Sequence, residues 1–179
     1  MDKQQKILIF EGPDGCGKTN IAKELERVIG VPYFKNESEW SCFEDDPSYF
    51  INAMTYGDPY FLSYLEQTKA SVIMDRWYPS EWVYSKAFKR PTDYGVLRAI
   101  DDRAAALDAK IIIPCRTSYD GVVDQFESIK PAILQDIEEI YRAFSDWTNC
   151  DTFFLNVDDE NLDRELFEVL NFVGGYERG

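Results

Sequence analysis

The chain contains no histidine. That absence excludes Ser-His and Cys-His nucleophile schemes and every histidine-ligated metal site. Cysteine is scarce too: Cys16, Cys42, Cys115 and Cys150 are scattered and form no C-x-x-C pair. They supply neither a zinc pattern nor a disulfide framework. Basic residues are outnumbered, 19 Lys and Arg against 33 Asp and Glu, leaving a net charge of −14. A face that grips duplex nucleic acid needs a cationic excess to displace condensed counterions, and the chain as a whole lacks one. No apolar run approaches the roughly 18 residues that cross a bilayer. The opening MDKQQKILIF holds an apolar run too short for a secretory core. These absences predict a cytoplasmic protein with no membrane partner and no stable nucleic-acid partner. Its chemistry must rest on carboxylates, Lys, Arg, Tyr, backbone amides and a hard metal ion.

What is present fits one globular domain spanning 1–179, with 45% of its residues hydrophobic. Short continuous apolar runs at 6–10, 31–34, 71–74, 110–114 and 152–157 read as strands. Helical periodicity marks 18–29, with Gly30 after it, and 93–107, 131–147 and 161–172. The aromatic stretch 47–67 reads as helical pieces broken around Gly57 and Pro59, and another helix starts near Pro79. Strands buried on both faces and alternating with helices predict an α/β fold: a five-stranded parallel sheet flanked by helices in three layers. In such sheets ligands bind beyond the carboxyl ends of the strands.

Directly after the first strand stands Gly12-Pro13-Asp14-Gly15-Cys16-Gly17-Lys18-Thr19, which fits the phosphate-loop pattern G-x-x-x-x-G-K-[ST]. Its glycines let backbone N–H groups turn toward phosphate oxygens, and the following helix offers its N-terminus to negative charge. Lys18 is expected to reach the β- and γ-phosphates of ATP, and the Thr19 hydroxyl to ligate Mg²⁺. Cys16, at that helix N-terminus, is expected to have a lowered thiol pKa, its alkylation to inhibit and ATP to protect it.

The third strand runs into Asp75-Arg76-Trp77, followed by Ser80 and Tyr84. An acid closing a buried strand beside a phosphate loop suits a Mg²⁺ hydration shell, and a guanidinium suits phosphate oxygens. A helix starting near Pro79 puts Ser80 and Tyr84 on one face. A plainer reading is a helix-capping Asp beside a surface Arg. Asp158, after the fifth strand, is a rival acid for the metal.

At this point the sequence resembles the thymidylate kinases. Glu11-Gly12-Pro13-Asp14-Gly15-Cys16-Gly17-Lys18-Thr19 is similar to that family's E-G-x-D-G-x-G-K-T loop, and Asp75-Arg76-Trp77-x-x-Ser80-x-x-Val83-Tyr84 to its D-R-[YFW]-x-x-S-x-x-A-Y segment. The resemblance implies a P-loop NTPase fold and ATP- and Mg²⁺-dependent conversion of dTMP to dTDP by a homodimer. It places Asp14 near the acceptor's 3′-hydroxyl, Asp75 at the metal, Arg76 and Lys35 on the acceptor phosphate, and Ser80 and Tyr84 near sugar and base. Phe50, Tyr60 and Phe61 are the aromatics available to stack on the base, Phe61 among the expected contacts. The chain departs from the family in its lid, roughly 116–130. Arg116 is the only arginine between Arg103 and Arg142, so either Arg116 or Lys130 neutralises the transferring group or the phosphate loop manages alone. Asn20 also replaces a frequent Thr.

Two other readings stay open. A deoxynucleoside kinase shares the layout and would use a carboxylate base on a 5′-hydroxyl, for which Glu37 is placed. A noncatalytic nucleotide-binding regulator would use Trp40, Trp77, Trp82 and Trp147 as a partner surface, against the plainer reading that they fill core and pocket walls.

Overall fold

A computed structural model describes residues 4–35, 53–122 and 131–174. Strands β1 (Ile7–Phe10), β2 (Tyr33–Lys35), β3 (Val72–Asp75), β4 (Lys110–Cys115) and β5 (Asp151–Asn156) form one sheet in the order β2-β3-β1-β4-β5. Every pairing is parallel. The described helices are α1 (Lys18–Ile29), α2 (Asp58–Thr68), α3 (Tyr78–Ala87), α4 (Tyr94–Ala106), α5 (Pro131–Trp147) and α6 (Leu162–Phe172).

Alternation along each strand divides the apolar residues between two cores. Ile7, Ile9, Val72, Met74, Ile111 and Ile113 face Leu62, Trp82, Leu97, Ile137 and Phe144 from α2 to α5. Leu8, Phe10, Ile73, Ile112 and Leu155 face Ile21 and Leu25 of α1 and Leu166 and Val169 of α6. Both faces of β1 are therefore covered, which is why its sequence is continuously apolar. Ile9 and Phe10 are 0% exposed, and each such burial contributes roughly 1.5–3 kcal/mol. Among the described residues no helix is long and apolar enough to cross a membrane.

The boundaries differ from the sequence expectation for local reasons. Asp93 and Asn161 lie outside their helices as N-caps, accepting from Val96 N at 3.1 Å and Arg164 N at 3.1 Å. The stretch around Gly57 and Pro59 is not a break. A π-helical turn, Ala53–Gly57, runs straight into α2, and Pro59 sits in the first turn, where no intrahelical donor is missed. β3 is shifted one residue from 71–74. Ser71 is occupied in accepting from Lys6 N at 3.0 Å, and Asp75 enters the ladder opposite Phe10 and Lys35. That shift fixes the Asp75 carboxylate to the rigid sheet instead of a loop.

Candidate active site

The strand order puts β1 at the centre, and the loop leaving it lies where the ligand crevice of such a sheet is expected. Glu11 N–H still bonds Ile112 O at 2.9 Å, and then the chain turns. Gly12 has φ 125°, and a Cβ there would lie 2.7 Å from Pro114 O, so only glycine fits. Gly17 starts α1 without any side-chain cap, leaving the first amides of the helix to an anion. Lys18, 6% exposed, donates to Pro13 O at 2.6 Å and stands 3.8 Å from Asp14. Burial, and then the nearby Arg76, depresses its ammonium pKa; Asp14 opposes both. The loop thus holds a cation that is poorly hydrated and ready for a stronger counter-charge.

Asp75 Oδ2 accepts from Thr19 Oγ1 at 2.6 Å and from Tyr33 OH at 2.7 Å. The two residues expected at a metal are thereby adjacent hard oxygens at the mouth of the loop, a set that fits Mg²⁺. Mg²⁺ takes one or two protein oxygens and fills its shell with water and phosphate oxygens. Among the described residues no group of three or more His, Cys, Asp or Glu forms a protein-only cage.

Arg76 follows in left-handed backbone, φ 67°, with its N–H on Phe10 O at 2.9 Å. That turn lifts the guanidinium off the sheet onto Asp14, with Nη1 3.2 Å from Ser80 Oγ and the cation 5.2 Å from the Tyr84 ring centroid. Tyr84 OH lies 3.5 Å from the other oxygen of Asp14. Burial pushes the Asp14 carboxyl up, but Arg76 and Lys18 outweigh it and hold the group below its ordinary range. Asp14, Lys18, Arg76, Ser80 and Tyr84 therefore form one cluster.

Sequence reasoning gave Glu11 no role. It is 0% exposed and accepts from Trp77 N at 2.7 Å, Ser80 Oγ at 2.7 Å and Tyr141 OH at 2.8 Å. Burial raises its pKa against the pull of Arg76 and three hydrogen bonds. It pins the β3–α3 turn and Ser80 beneath Arg76, so the Ser80 hydroxyl is engaged inside the protein. A lone acid directly after a buried strand was the signal for it.

The remaining expected residues are placed as follows. Lys35 ends β2 opposite Asp75. Phe61 stacks on Phe34 at 6.0 Å and meets Trp77 edge-on at 6.1 Å, whereas Tyr60 is 77% exposed and turned away. Arg116 reaches the phosphate loop: its Nε is 3.3 Å from Gly15 O and its Nη2 2.9 Å from Glu160. Asp158 accepts from Thr117 N at 2.8 Å and from the Thr117 hydroxyl. Trp77 and Trp82 are buried in the larger core and Trp147 packs against it. Glu37, Trp40, Cys42, Phe50 and Lys130 lie outside the described residues.

The expectation of a lowered thiol pKa for Cys16 is overturned. Its side chain points inward, 0% exposed, and burial raises its thiol pKa despite the helix N-terminus and Lys18. The side chain's direction decides the outcome, because desolvation of a thiolate outweighs a partial positive charge.

No protein-family model matches the chain, and no curated protein does. Among the solved structures similar to it, two are matched across nearly their whole length. One is the YorR protein of Bacillus subtilis, in complex with phosphorylated GDP: 22% identity, TM-score 0.61, with 96% of this chain and 100% of that chain covered. The other is deoxyadenosine kinase from M. mycoides, with dCMP and a flexible dCDP bound: 17% identity, TM-score 0.55, with 92% and 97% covered. At these identities the likeness establishes the fold alone, a five-stranded parallel sheet flanked by helices in three layers.

Proposed function

We propose that this protein transfers the γ-phosphoryl group of ATP to a deoxynucleoside monophosphate, with dTMP the acceptor its motifs resemble. The observation that carries the reading is the sharing of Asp14 by Lys18 and Arg76. One cation belongs to the donor-phosphate loop and the other to the end of β3, and they stand on either side of a single carboxylate. Phosphates arriving from both directions replace that carboxylate as their partner. Asp14 is then released toward an acceptor hydroxyl.

Phosphoryl transfer asks mainly for alignment and for neutralisation of charge on the equatorial oxygens. Lys18 and the amides at the start of α1 hold the donor phosphates. Arg76, steadied by Ser80 and Tyr84, and Lys35 hold the acceptor phosphate. Thr19 and Asp75 hold Mg²⁺, which when bound neutralises charge on the donor oxygens. Arg116, resting on Gly15 O, takes the place of the lid arginines. No general base is needed, because a monophosphate acceptor is already anionic.

A nucleoside acceptor is the weaker reading, although one similar fold is a deoxyadenosine kinase. It requires a carboxylate to take the hydroxyl proton. Glu37, the acid named for that role, lies outside the described residues, and Glu11, a buried acid of the site, already accepts three hydrogen bonds. The deciding experiment is Mg·ATP-dependent ADP production with dTMP, dUMP, other deoxynucleoside monophosphates, thymidine and deoxyadenosine offered separately. Turnover with a monophosphate supports the proposal; turnover with nucleosides alone replaces it. The homodimer is tested by the mass of the protein in solution.

A further inference from the structure

Tyr119 belongs to no motif, yet its phenol closes a buried chain of hydrogen bonds that begins in the phosphate loop. Its oxygen stands 3.4 Å from Cys16 Sγ and 2.6 Å from Glu138 Oε2. Glu138, on α5, also accepts from Arg116 N at 3.3 Å and from Arg142 Nη2 at 2.7 Å. All three members are buried: Cys16 0%, Tyr119 2% and Glu138 3% exposed. The Glu138 carboxylate, paired with Arg142, only accepts, so the single phenol proton goes to it. The thiol must then donate to the phenol oxygen. That direction needs a protonated Cys16, in keeping with the raised thiol pKa.

The surroundings give this chain a purpose. Cys16 lies between Gly15 and Gly17, both in left-handed backbone at φ 78° and 70°. Glycine on either side makes the loop costly to order, and the Cys16 side chain is its anchor between them. Residues 116–122 cross the loop at three points. Arg116 meets Gly15 O, Tyr119 meets Cys16, and Val122 lies where any Cβ on Gly15 would collide. We propose that Tyr119 is a positioning residue that clamps Cys16 to Glu138, holding the phosphate loop in its anion-binding shape and joining it to α5. The proposal rests on the nucleotide-binding reading of the loop.

The test compares the wild type with Tyr119→Phe, which keeps the ring and removes the oxygen, by titration with ADP and by maleimide labelling of Cys16 followed through its own peptide. Loss of one buried hydrogen bond is expected to weaken ADP binding about 3–10-fold. The KM for ATP is expected to rise with kcat nearly unchanged, and Cys16 labelling to speed up severalfold. Cys16→Ala is expected to weaken ADP binding similarly, the double variant no further, while Cys16→Ser, which restores a donor, recovers most of the loss. Wild-type ADP affinity and unchanged labelling in Tyr119→Phe overturn the clamp. If Tyr119→Phe does not fold, equal ADP affinities for Cys16→Ala and Cys16→Ser overturn it instead. A wild type that binds no ADP overturns the nucleotide reading, and the labelling comparison then still decides the clamp.

Discussion

Thr19 Oγ1 donates to Asp75 Oδ2 at 2.6 Å across 56 residues of sequence. The contact exists because β1 and β3 are parallel neighbours, with Phe10 in register with Asp75, so the helix following one strand starts beside the end of the other. Asp75→Asn keeps an oxygen for Thr19 and Tyr33 but loses the charge that suits Mg²⁺. We expect transfer to fall by about 10²–10³, the usual loss for one electrostatic contact to a transition state, with a small change in melting temperature. Turnover within tenfold of wild type across a Mg²⁺ titration would remove Asp75 from the metal site.

Lys18 is a buried cation with a depressed pKa. The folded form holds its proton less tightly than the unfolded form does, so the stability cost grows as pH falls below the ordinary lysine range. It is present at neutral pH. Lys18→Met removes that cost at nearly equal volume. The expected result is loss of transfer by at least about 10³-fold together with an unchanged or raised melting temperature. A variant that is both active and less stable contradicts both assignments.

Arg76 holds a left-handed backbone that costs a side-chain-bearing residue about 1–2 kcal/mol. Arg76→Ala and Arg76→Gly both lose the guanidinium and are expected to lose transfer equally. Only glycine relieves the backbone. Arg76→Gly should therefore be more stable than Arg76→Ala by about 1 kcal/mol in urea denaturation. Equal stabilities would mean that the turn carries no strain.

Asp58 accepts from the Trp77 indole N–H at 2.9 Å, and burial pushes its pKa from 3.8 to about 6. Between those values the folded protein binds more protons than the unfolded chain, so stability falls as pH rises through that window. The displacement corresponds to about 3 kcal/mol. Asp58→Asn keeps an acceptor for Trp77 and cannot ionise. It is expected to flatten the stability profile between pH 4 and 6 and to exceed the wild type at pH 7. A parallel profile for the two proteins would assign the pH dependence to other groups.

The sequence by itself determined the layered α/β fold and the phosphate-loop pattern. Both are written in local signals: apolar runs in KILIF, SVIM and KIIIP, helical periodicity in 131–147, and the spacing of Gly12, Gly17, Lys18 and Thr19. Local signals depend on residues a few positions apart, so one chain displays them. Only the tertiary structure decided the strand order, the sharing of Asp14 by Lys18 and Arg76, and the burial of Glu11 under Trp77 and Tyr141. It also reversed the expectation for Cys16, whose thiol faces Tyr119 at a separation of 103 residues. Charge and desolvation act through space, and a carboxylate or thiol takes its character from neighbours that sequence order does not reveal.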